Sequence, residues 1–279
     1  MAEQHYRVVI AYKGRDYFGW QYLGDAGEKP TVQFEILKAL RKISKYETCQ
    51  VAGASRTDAG VHALGQVAKL TTPLQIAPDK LQRGMNSLLP RDIRMVACAR
   101  CAPVFNPNRE AVSKTYRYYF TIDALCAPLL GDLVAHVPLL PATATATATA
   151  TGDAGENRIQ RMKAACDVFV GEHDFSSFSV RDVSGKSAIR TVASLELFKT
   201  PDAGFGEGVY CFEIKGNGFL KYMVRYIVGS LFEVGRENLD AAAIDAALAL
   251  PQPEKLSAKA KAKGLHLIEI DYDGLSSQR

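Results

Sequence analysis

The first half of the sequence alternates β-rich runs with amphipathic segments in a regular order. The run YRVVIAY at 6–12 is typical of a strand, and the segment after Thr31, a residue that can cap a helix, has apolar residues at three- and four-residue spacing. The predicted strands are 6–12, 50–54, 66–70 and 93–97, and the predicted helices are 31–45 and 78–88. This order leaves few compact folds open, because each amphipathic helix must cover a sheet.

The order strand, helix, strand, strand, helix, strand is the ferredoxin-like βαββαβ pattern. The second half repeats the alternation less clearly. Its predicted strands are 115–122, 189–199, 208–215 and 265–272, and its predicted helices are 157–170, 219–234 and 240–250. Two such halves can pair edge strands into one sheet. We therefore predict an α/β protein of two ferredoxin-like halves, 1–111 and 112–279, that share a central, mainly antiparallel sheet with an active-site cleft between them.

A low-complexity stretch interrupts the second half. Residues 141–151 read PATATATATAT, and strict Ala/Thr alternation offers too little apolar bulk to offset the entropy lost on ordering. Together with 152–156, this stretch is predicted to be a flexible surface insertion, 141–156.

Composition places the chain among ordinary globular proteins. Hydrophobic residues make up 47% and charged residues 23% of the 279 residues. No apolar run approaches the ~20 residues of a membrane span, and the start of the sequence has no apolar core of signal-peptide length. We therefore expect a cytoplasmic protein without a membrane segment.

The net charge of +4 is compatible with a nucleic-acid partner but does not identify one. Basic side chains recur in short clusters, and for each cluster a solvated face is the simpler interpretation than a track for phosphates. The clusters are Arg41 and Lys42 with Lys45, Lys114 with Arg117, and Lys259 with Lys261 and Lys263.

Familiar motifs for cofactors and metals are missing from the sequence. It contains no GxxxxGK, GxSxG or HExxH motif, and the stretch GNGFLK at 216–221 lacks the last glycine of a dinucleotide fingerprint. Cys98 and Cys101 form a single CxxC pair, whereas zinc usually takes four ligands from two such pairs. We predict two reduced thiols there, no metal and no nucleotide cofactor.

The most concentrated polar stretch is ASRTDAGVHA, residues 54–63, which lies between two apolar runs. Loops on a rigid scaffold are where binding and catalytic side chains concentrate. Asp58 can be a working carboxylate, or it can cap a turn and pair with Arg56 two residues away. The loop by itself does not decide between these two interpretations.

The predicted helix 219–234, FLKYMVRYIVGSLFEV, is apolar nearly all round and should be buried. Its Lys221 and Arg225 are four residues apart and so share one stripe. An arginine on a buried helix needs a carboxylate or a phosphate as partner, because an isolated interior charge is too costly. The turn at 216–218 would also present free backbone N–H groups at the positive end of this helix.

Aromatic side chains give further candidates. Tyr116 and Tyr118 share one face of the strand 115–122, where both can belong to the core, or Tyr116 can stack on a base or move a proton. Trp20, the only tryptophan, can anchor the core or form a wall near a nucleotide site.

Seven motifs in a fixed order resemble those of the TruA-type tRNA pseudouridine synthase family. The resemblance runs from Tyr12 to Tyr272, with the Ala/Thr stretch as the main gap, and RTDAGVHA followed by the tyrosine strand and MVRYIVGS is its most specific part. The motifs are YKGRDYFGWQ, VQFEILKAL, SRTDAGVHALGQV, SKTYRYYF, GEHDFSSF, GFLKYMVRYIVGSLFEVG and GLHLIEIDY.

The resemblance implies the pseudouridine synthase fold, an activity and a set of site residues. The family isomerises uridine to pseudouridine at positions 38, 39 and 40 of the tRNA anticodon arm, uses no cofactor, and works as a homodimer with one tRNA across both subunits. Asp58 stands at the position of the catalytic aspartate, Tyr116 matches the active-site tyrosine, and Arg225 matches the basic residue that pairs with the aspartate. Arg56 matches a residue that holds the flipped-out nucleotide. Leu267 lies in the closing strand, whose family counterpart packs against the target base.

The sequence departs from the family pattern at a few positions, which bears on RNA contacts and on the preferred tRNA positions. Ser55 stands where glycine is common, Lys13 where aspartate is common and Lys261 where proline is common, and the residues 106–108, NPN, stand where FHAR is typical. Two other classes of function stay open: an RNA-binding module without catalysis, and a structural dimer that uses its aromatic surface.

Overall fold

The computed structural model describes residues 3–22, 24, 30–45, 48–123, 126–138, 153–180, 187–201 and 208–273. In chain order the strands are β1 (Gln4–Tyr12), β2 (Gln50–Gly53), β3 (His62–Thr72), β4 (Ile93–Arg100), β5 (Ala111–Thr121), β6 (Ala135–His136), β7 (Gly171–Asp174), β8 (Ile189–Lys199), β9 (Val209–Gly216) and β10 (Leu265–Tyr272). The α-helices are α1 (Val32–Ser44), α2 (Pro78–Leu88), α3 (Asp153–Ala165), α4 (Met223–Gly235) and α5 (Ala241–Ala249). Each strand and helix predicted from the sequence is found, with some ends shifted. None of these helices combines the length and the apolar composition that crossing a membrane requires.

The chain packs into two compact units, Met1–Lys114 with His266–Arg279 and Thr115–Leu265. All of β10 except its first residue therefore lies with the first unit. The sequence division at 111/112 had grouped that strand with the second half.

In the first unit, β1 lies between β4 and β3 in an antiparallel sheet, and β2 pairs with the second half of β3. Val8 of β1, for example, lies opposite Ala68 of β3 and Cys98 of β4. This is the arrangement of a βαββαβ unit. β10 runs parallel to the start of β3, with His266 opposite His62. The prediction of an α/β fold with a mainly antiparallel sheet is confirmed.

Side-chain chemistry explains why β1 and α1 form. Alternate residues of β1 face the core, so that Tyr6, Val8 and Ile10 are fully buried. At the start of α1, the Phe34 backbone N–H donates a hydrogen bond to Thr31 Oγ1 at 3.3 Å. This bond satisfies one of the donors that every helix start leaves open.

In the second unit, β5, β9, β8 and β7 are successive neighbours, and the pairs β9–β8 and β8–β7 are antiparallel. Buried aromatic rings join α4 to this sheet. The rings of Phe120 and Phe212 lie 5.2 Å apart, and that of Phe232 in α4 lies 5.0 Å from Phe120. The helix that carries Arg225 is therefore fixed by the core.

The helix predicted at 219–234 begins four residues later than expected, at Met223. The residue before it, Tyr222, has a φ of 65° in the left-handed region and so lies outside the helix. Lys221 therefore precedes the helix, and the prediction that it shares a helical stripe with Arg225 is wrong.

The turn at 216–218 does not lie at a helix end, because α4 starts only at Met223. The Asn217 N–H donates to the Thr191 carbonyl oxygen at 3.1 Å and continues the hydrogen bonding beside β8. The prediction that this turn presents backbone donors at the positive end of the helix is therefore wrong, and the Asn217 N–H is not free.

Most of the predicted flexible insertion, 141–152, lies outside the described residues. The remainder, 153–156, belongs to the first turn of α3, so assigning these residues to a flexible segment was wrong. α3 ends at Ala165 and is followed by a 3₁₀ turn, Cys166–Phe169, where the sequence had predicted a continuous helix.

Candidate active site

The loop between β2 and β3 carries Arg56, Thr57 and Asp58, and Thr57 is held at both its side chain and its backbone. The Thr57 side chain is buried, and its Oγ1 lies 2.7 Å from the Tyr12 hydroxyl oxygen. The Thr57 carbonyl oxygen accepts a hydrogen bond from the Trp20 N–H at 3.1 Å. These two contacts fix the residue directly before Asp58.

A buried glutamine fixes the start of the same loop. Gln66 has no exposed surface, and its Oε1 accepts from the Ser55 N–H at 3.1 Å while its Nε2 donates to the Ser55 carbonyl oxygen at 2.7 Å. The Ala54 N–H donates to the Val67 carbonyl oxygen at 2.8 Å. A buried amide whose donor and acceptor are both used is costly to rearrange, so the loop starts from a defined backbone position.

Asp58 lies at the start of a tight turn. Its carbonyl oxygen accepts from the Val61 N–H at 3.1 Å, and Gly60 has a φ of 80°, which glycine adopts without strain. The Asp58 side chain is half-buried, whereas Arg56 is exposed. Within the described residues Arg56 makes no ion pair, so the simple Arg56–Asp58 pair considered from the sequence is not found.

The segment 13–20 packs against this loop so closely that two of its positions require glycine. A Cβ at Gly14 would lie 1.8 Å from the Val61 carbonyl oxygen. A Cβ at Gly19, whose φ is 83°, would lie 2.4 Å from the Thr57 carbonyl oxygen. The motif YKGRDYFGWQ therefore contains the support of the Asp58 loop.

Trp20 is a core residue rather than an open wall. Its side chain is 1% exposed, and its ring centroid lies 6.1 Å from that of Tyr12. A Cβ at Gly53 would lie 2.4 Å from the indole, so glycine in β2 makes room for this ring. Of the two interpretations of Trp20, the core anchor is confirmed.

Two buried imidazoles stack where the loop ends, and sequence reasoning did not single them out. His62, the first residue of β3, and His266 of β10 have ring centroids 4.6 Å apart and ring planes at 23°. The Gly14 N–H donates to His62 Nδ1 at 3.1 Å, so this nitrogen carries no proton. Leu267 follows His266, lies opposite Ala63 and is fully buried. The available signal was that both histidines lie inside recognised motifs, SRTDAGVHALGQV and GLHLIEIDY.

Two side chains outside the loop hold the carbonyl oxygen of Ala54. Lys114 Nζ donates to it at 2.7 Å, and Asn108 Nδ2 donates to it as well. Lys114 is only 7% exposed, so its interpretation as part of a solvated face is wrong. The Tyr272 hydroxyl donates to the Pro107 carbonyl oxygen at 2.7 Å. The atypical stretch 106–108 is therefore part of the support of the loop.

In the second unit, Tyr116 and Tyr118 differ in their surroundings although they share one face of β5. The Tyr118 hydroxyl donates to the Lys261 carbonyl oxygen at 2.9 Å, and burial raises the pKa of this phenol. Tyr118 is therefore a core residue with a satisfied hydroxyl. Tyr116 is 6% exposed, and its ring meets that of Phe219 edge to face at 5.3 Å. Phe219 thereby fixes the plane of the Tyr116 ring.

Arg225 lies in the first turn of α4 and is partly exposed. Its Nε donates to the Ala260 carbonyl oxygen at 2.8 Å, and its own carbonyl oxygen accepts from the Ala260 N–H at 2.9 Å. The guanidinium is therefore held in a defined orientation. The structure brings Asp58, Arg56 and Leu267 into the first unit, and it places Tyr116 and Arg225 in the second.

The pair Cys98 and Cys101 is a pair of free thiols on and just after β4. Burial raises the pKa of Cys98 to about 12, with Cys101 as a smaller cause, so its thiol is neutral at ordinary pH. Thiolates, not thiols, bind metals. Among the described residues, no group of three His, Cys, Asp or Glu side chains is arranged to hold a metal ion.

Comparison with known proteins agrees with the motifs around this loop. The family model described as tRNA pseudouridine synthase matches residues 8–106 and 165–273. The protein tRNA pseudouridine synthase A 2 of Desulfotalea psychrophila is 42% identical over 270 residues, covering 96% of this chain and 98% of that protein. The protein tRNA pseudouridine synthase A of Solibacter usitatus is 35% identical over 270 residues, covering 95% of this chain and 98% of that protein. A third, tRNA pseudouridine synthase A of Leuconostoc citreum, is 34% identical over 271 residues and covers 96% of both chains.

The resemblance predicted from the motifs is confirmed by a family match over most of the chain and by relatives that align over nearly their whole length. The chain belongs to the tRNA pseudouridine synthase family, a family of isomerases.

Proposed function

We propose that this protein converts uridine to pseudouridine at positions 38, 39 and 40 in the anticodon arm of tRNA. The observation that carries the proposal is a half-buried aspartate on a loop whose backbone is fixed on both sides, in a chain that belongs to this family. Preorganised reactive groups are what catalysis requires of a fold.

The reaction is an isomerisation, so no outside reagent is needed. The bond between N1 of uracil and C1′ of ribose breaks, the base turns, and C5 forms a new bond to C1′. The proton on C5 is lost and N1 ends protonated, which leaves the composition unchanged. In this proposal Asp58 starts the sequence, either as a nucleophile at C1′ or at C6, or as the base that removes a sugar proton.

Any of these routes requires an ionised Asp58. We propose that Arg225 supplies the opposite charge that keeps the carboxylate ionised. The bond from its Nε to Ala260 supports this role, because a guanidinium already oriented loses less entropy on pairing. Tyr116 is proposed to contact the base and to accept or relay the C5 proton, with Phe219 fixing its ring.

The target uridine is stacked in the anticodon arm and must be flipped out to react. Arg56 is proposed to hold the flipped state by entering the space that the base leaves, and the exposure of its side chain supports this role. Leu267 is proposed to pack against the target base from the closing strand. Because Leu267 has no exposed surface in the free protein, this contact requires neighbouring side chains to move when the base enters. We also propose that the protein acts in the cytoplasm as a homodimer. Light scattering of the purified protein tests the homodimer by measuring its mass in solution.

The experiment is to incubate the purified protein with unmodified tRNA transcripts and to map pseudouridine at single-nucleotide resolution. The proposal expects new pseudouridine at positions 38 to 40. A protein that binds these transcripts but leaves all uridines unchanged would instead be an RNA-binding module, and one without affinity for tRNA would fit the structural dimer.

A further inference from the structure

Three cations converge on the ring of Tyr222, directly before α4. Lys259 Nζ lies 3.8 Å from the ring centroid, Lys221 Nζ lies 5.3 Å from it, and Arg225 Cζ lies 5.5 Å from it. These distances are within the range of cation–π attraction. We call Tyr222, Lys221, Lys259 and Lys261, which follows Lys259 by two positions in the sequence, the Tyr222 cluster.

The lysines of the Tyr222 cluster are exposed, and among the described residues no carboxylate pairs with them. Lys221, Lys259 and Lys261 are all exposed. In the part of the chain that the structure describes, none of the three forms an ion pair with a carboxylate. Like charges that have no acidic partner in the described part of the chain raise the local positive potential, which attracts an anion.

The backbone at Tyr222 is held in a conformation that a side chain of its size rarely adopts. Its φ of 65° lies in the left-handed region. Hydrogen bonds on both sides enforce this shape: the Val180 N–H donates to the Lys221 carbonyl oxygen at 3.1 Å, and the Tyr226 N–H donates to the Tyr222 carbonyl oxygen at 3.0 Å. Glycine would suit the backbone better, so the ring itself is what this position supplies.

We propose that the Tyr222 cluster is a binding site for the phosphodiester backbone of the RNA substrate. A carboxylate would hold the lysines but cancel their charge, whereas the ring attracts them and leaves the charge in place. The lysine side chains are thereby partly ordered in advance, so they lose less conformational entropy when a phosphate binds. Arg225 lies within cation–π distance of the same ring, so the cluster adjoins the guanidinium proposed to act with Asp58. This inference rests on the proposed function, because it assigns a contact to the same RNA.

A purely structural role is the competing explanation, in which the cations only stabilise the turn before α4. The two explanations differ in what a lysine contributes to RNA affinity. Each phosphate contact adds ~0.7 to the slope of log K against log salt for single-stranded nucleic acid, which amounts to about fourfold in affinity at 0.15 M salt. A structural cation contributes nothing to that slope.

The experiment measures binding of an unmodified, fluorescently labelled tRNA transcript by anisotropy at several salt concentrations. The variants are Lys221→Ala with Lys259→Ala, and Lys199→Ala as a control, because Lys199 is an exposed lysine of the same unit on β8. At 0.15 M salt the double variant should bind about fifteenfold more weakly, and the magnitude of its salt slope should be about 1.4 smaller. Lys199→Ala should match the wild type. A double variant that matches Lys199→Ala would overturn the inference.

Two substitutions separate the ring from the backbone it sits on. Tyr222→Gly keeps the left-handed backbone and removes the ring, and should weaken tRNA binding several-fold, whereas Tyr222→Phe keeps the ring and should bind like the wild type. Equal binding by Tyr222→Gly and the wild type would contradict a role for the ring. If the wild type makes no pseudouridine while the lysine variants still lose affinity, the proposed function fails and the RNA site stands.

Discussion

The backbone N–H of Gly14 donates a hydrogen bond of 3.1 Å to Nδ1 of His62, and this bond joins the turn after β1 to the residue that ends the Asp58 loop. His62 is buried against the ring of His266, so its plane cannot turn freely. The bond therefore holds the end of the Asp58 loop, just as Gln66 holds its start.

Replacing His62 should test that support. His62→Leu removes the acceptor and leaves the Gly14 N–H buried without it, at a cost of about 1–3 kcal/mol. His62→Asn offers an oxygen near the position of Nδ1 and should keep most of the activity. We expect a clearly lower kcat for the leucine variant than for the asparagine variant, measured on unmodified tRNA. Equal rates for the two would show that the acceptor has no role.

The close packing of segment 13–20 predicts an effect of Gly19→Ala. The added Cβ would lie 2.4 Å from the Thr57 carbonyl oxygen on a backbone with φ of 83°, so the loop must move. We expect a loss of about 1–3 kcal/mol in the free energy of unfolding, with lower activity. Gly218→Ala is the control, because its Cβ would meet nothing closer than 3.8 Å. A similar result for both glycines in urea denaturation would contradict this packing argument.

We expect Lys114 to stabilise the protein as a buried hydrogen-bond donor rather than as a surface charge. Lys114→Met keeps the length of the side chain but removes the donor to the Ala54 carbonyl oxygen, which should cost about 1–3 kcal/mol. Lys199→Met changes the same charge at an exposed position and should stay within about 0.5 kcal/mol of the wild type. Urea denaturation of both variants checks the difference. A Lys114→Met protein as stable as Lys199→Met would refute the role of this donor.

Because several thiols are buried, we expect the free energy of unfolding to fall at alkaline pH. Burial raises the pKa of Cys98, Cys166 and Cys211 from the ordinary value of 9.0 to about 12. Above pH 9 the unfolded chain releases these protons while the folded chain keeps them, so the free energy of unfolding falls as pH rises toward 12. Well below pH 9 these thiols are neutral in both states and contribute no slope.

Urea denaturation at pH 8, 9 and 10 measures this slope. The double variant Cys166→Ala with Cys211→Ala should show a shallower fall between pH 9 and pH 10 than the wild type. An unchanged slope would mean that the alkaline loss comes from other groups, such as the buried phenols whose pKa values are also raised.

Local sequence patterns predicted the strands and helices well, because hydrophobic periodicity and helix capping each depend on residues only a few positions apart. Thr31 caps α1 as expected, and the alternation in β1 matches its buried face. The start of α4 was predicted too early because the apolar run begins already at Phe219 and Leu220. The left-handed backbone of Tyr222 delays the helix, and tyrosine is not a residue type that indicates such a conformation.

In the candidate site too, local features were predicted from the sequence and long-range contacts were not. The motif pointed to Asp58, but a hydrogen bond such as that from Lys114 to Ala54 joins residues 60 positions apart, and no local pattern encodes it. Lys114 therefore looked like half of a basic surface pair. The stack of His62 on His266 likewise depends on the parallel pairing of β3 with β10, which only the folded chain brings about.

The central claim is that the Asp58 carboxylate starts the isomerisation. The most direct measurement compares wild type, Asp58→Asn and Asp58→Ala for pseudouridine formed in unmodified tRNA under single-turnover conditions, with circular dichroism and tRNA affinity measured in parallel. The account predicts pseudouridine at positions 38 to 40 with the wild type and none with either variant, while both variants stay folded and bind tRNA. Pseudouridine formation by a folded Asp58→Ala protein at a rate near that of the wild type would contradict it.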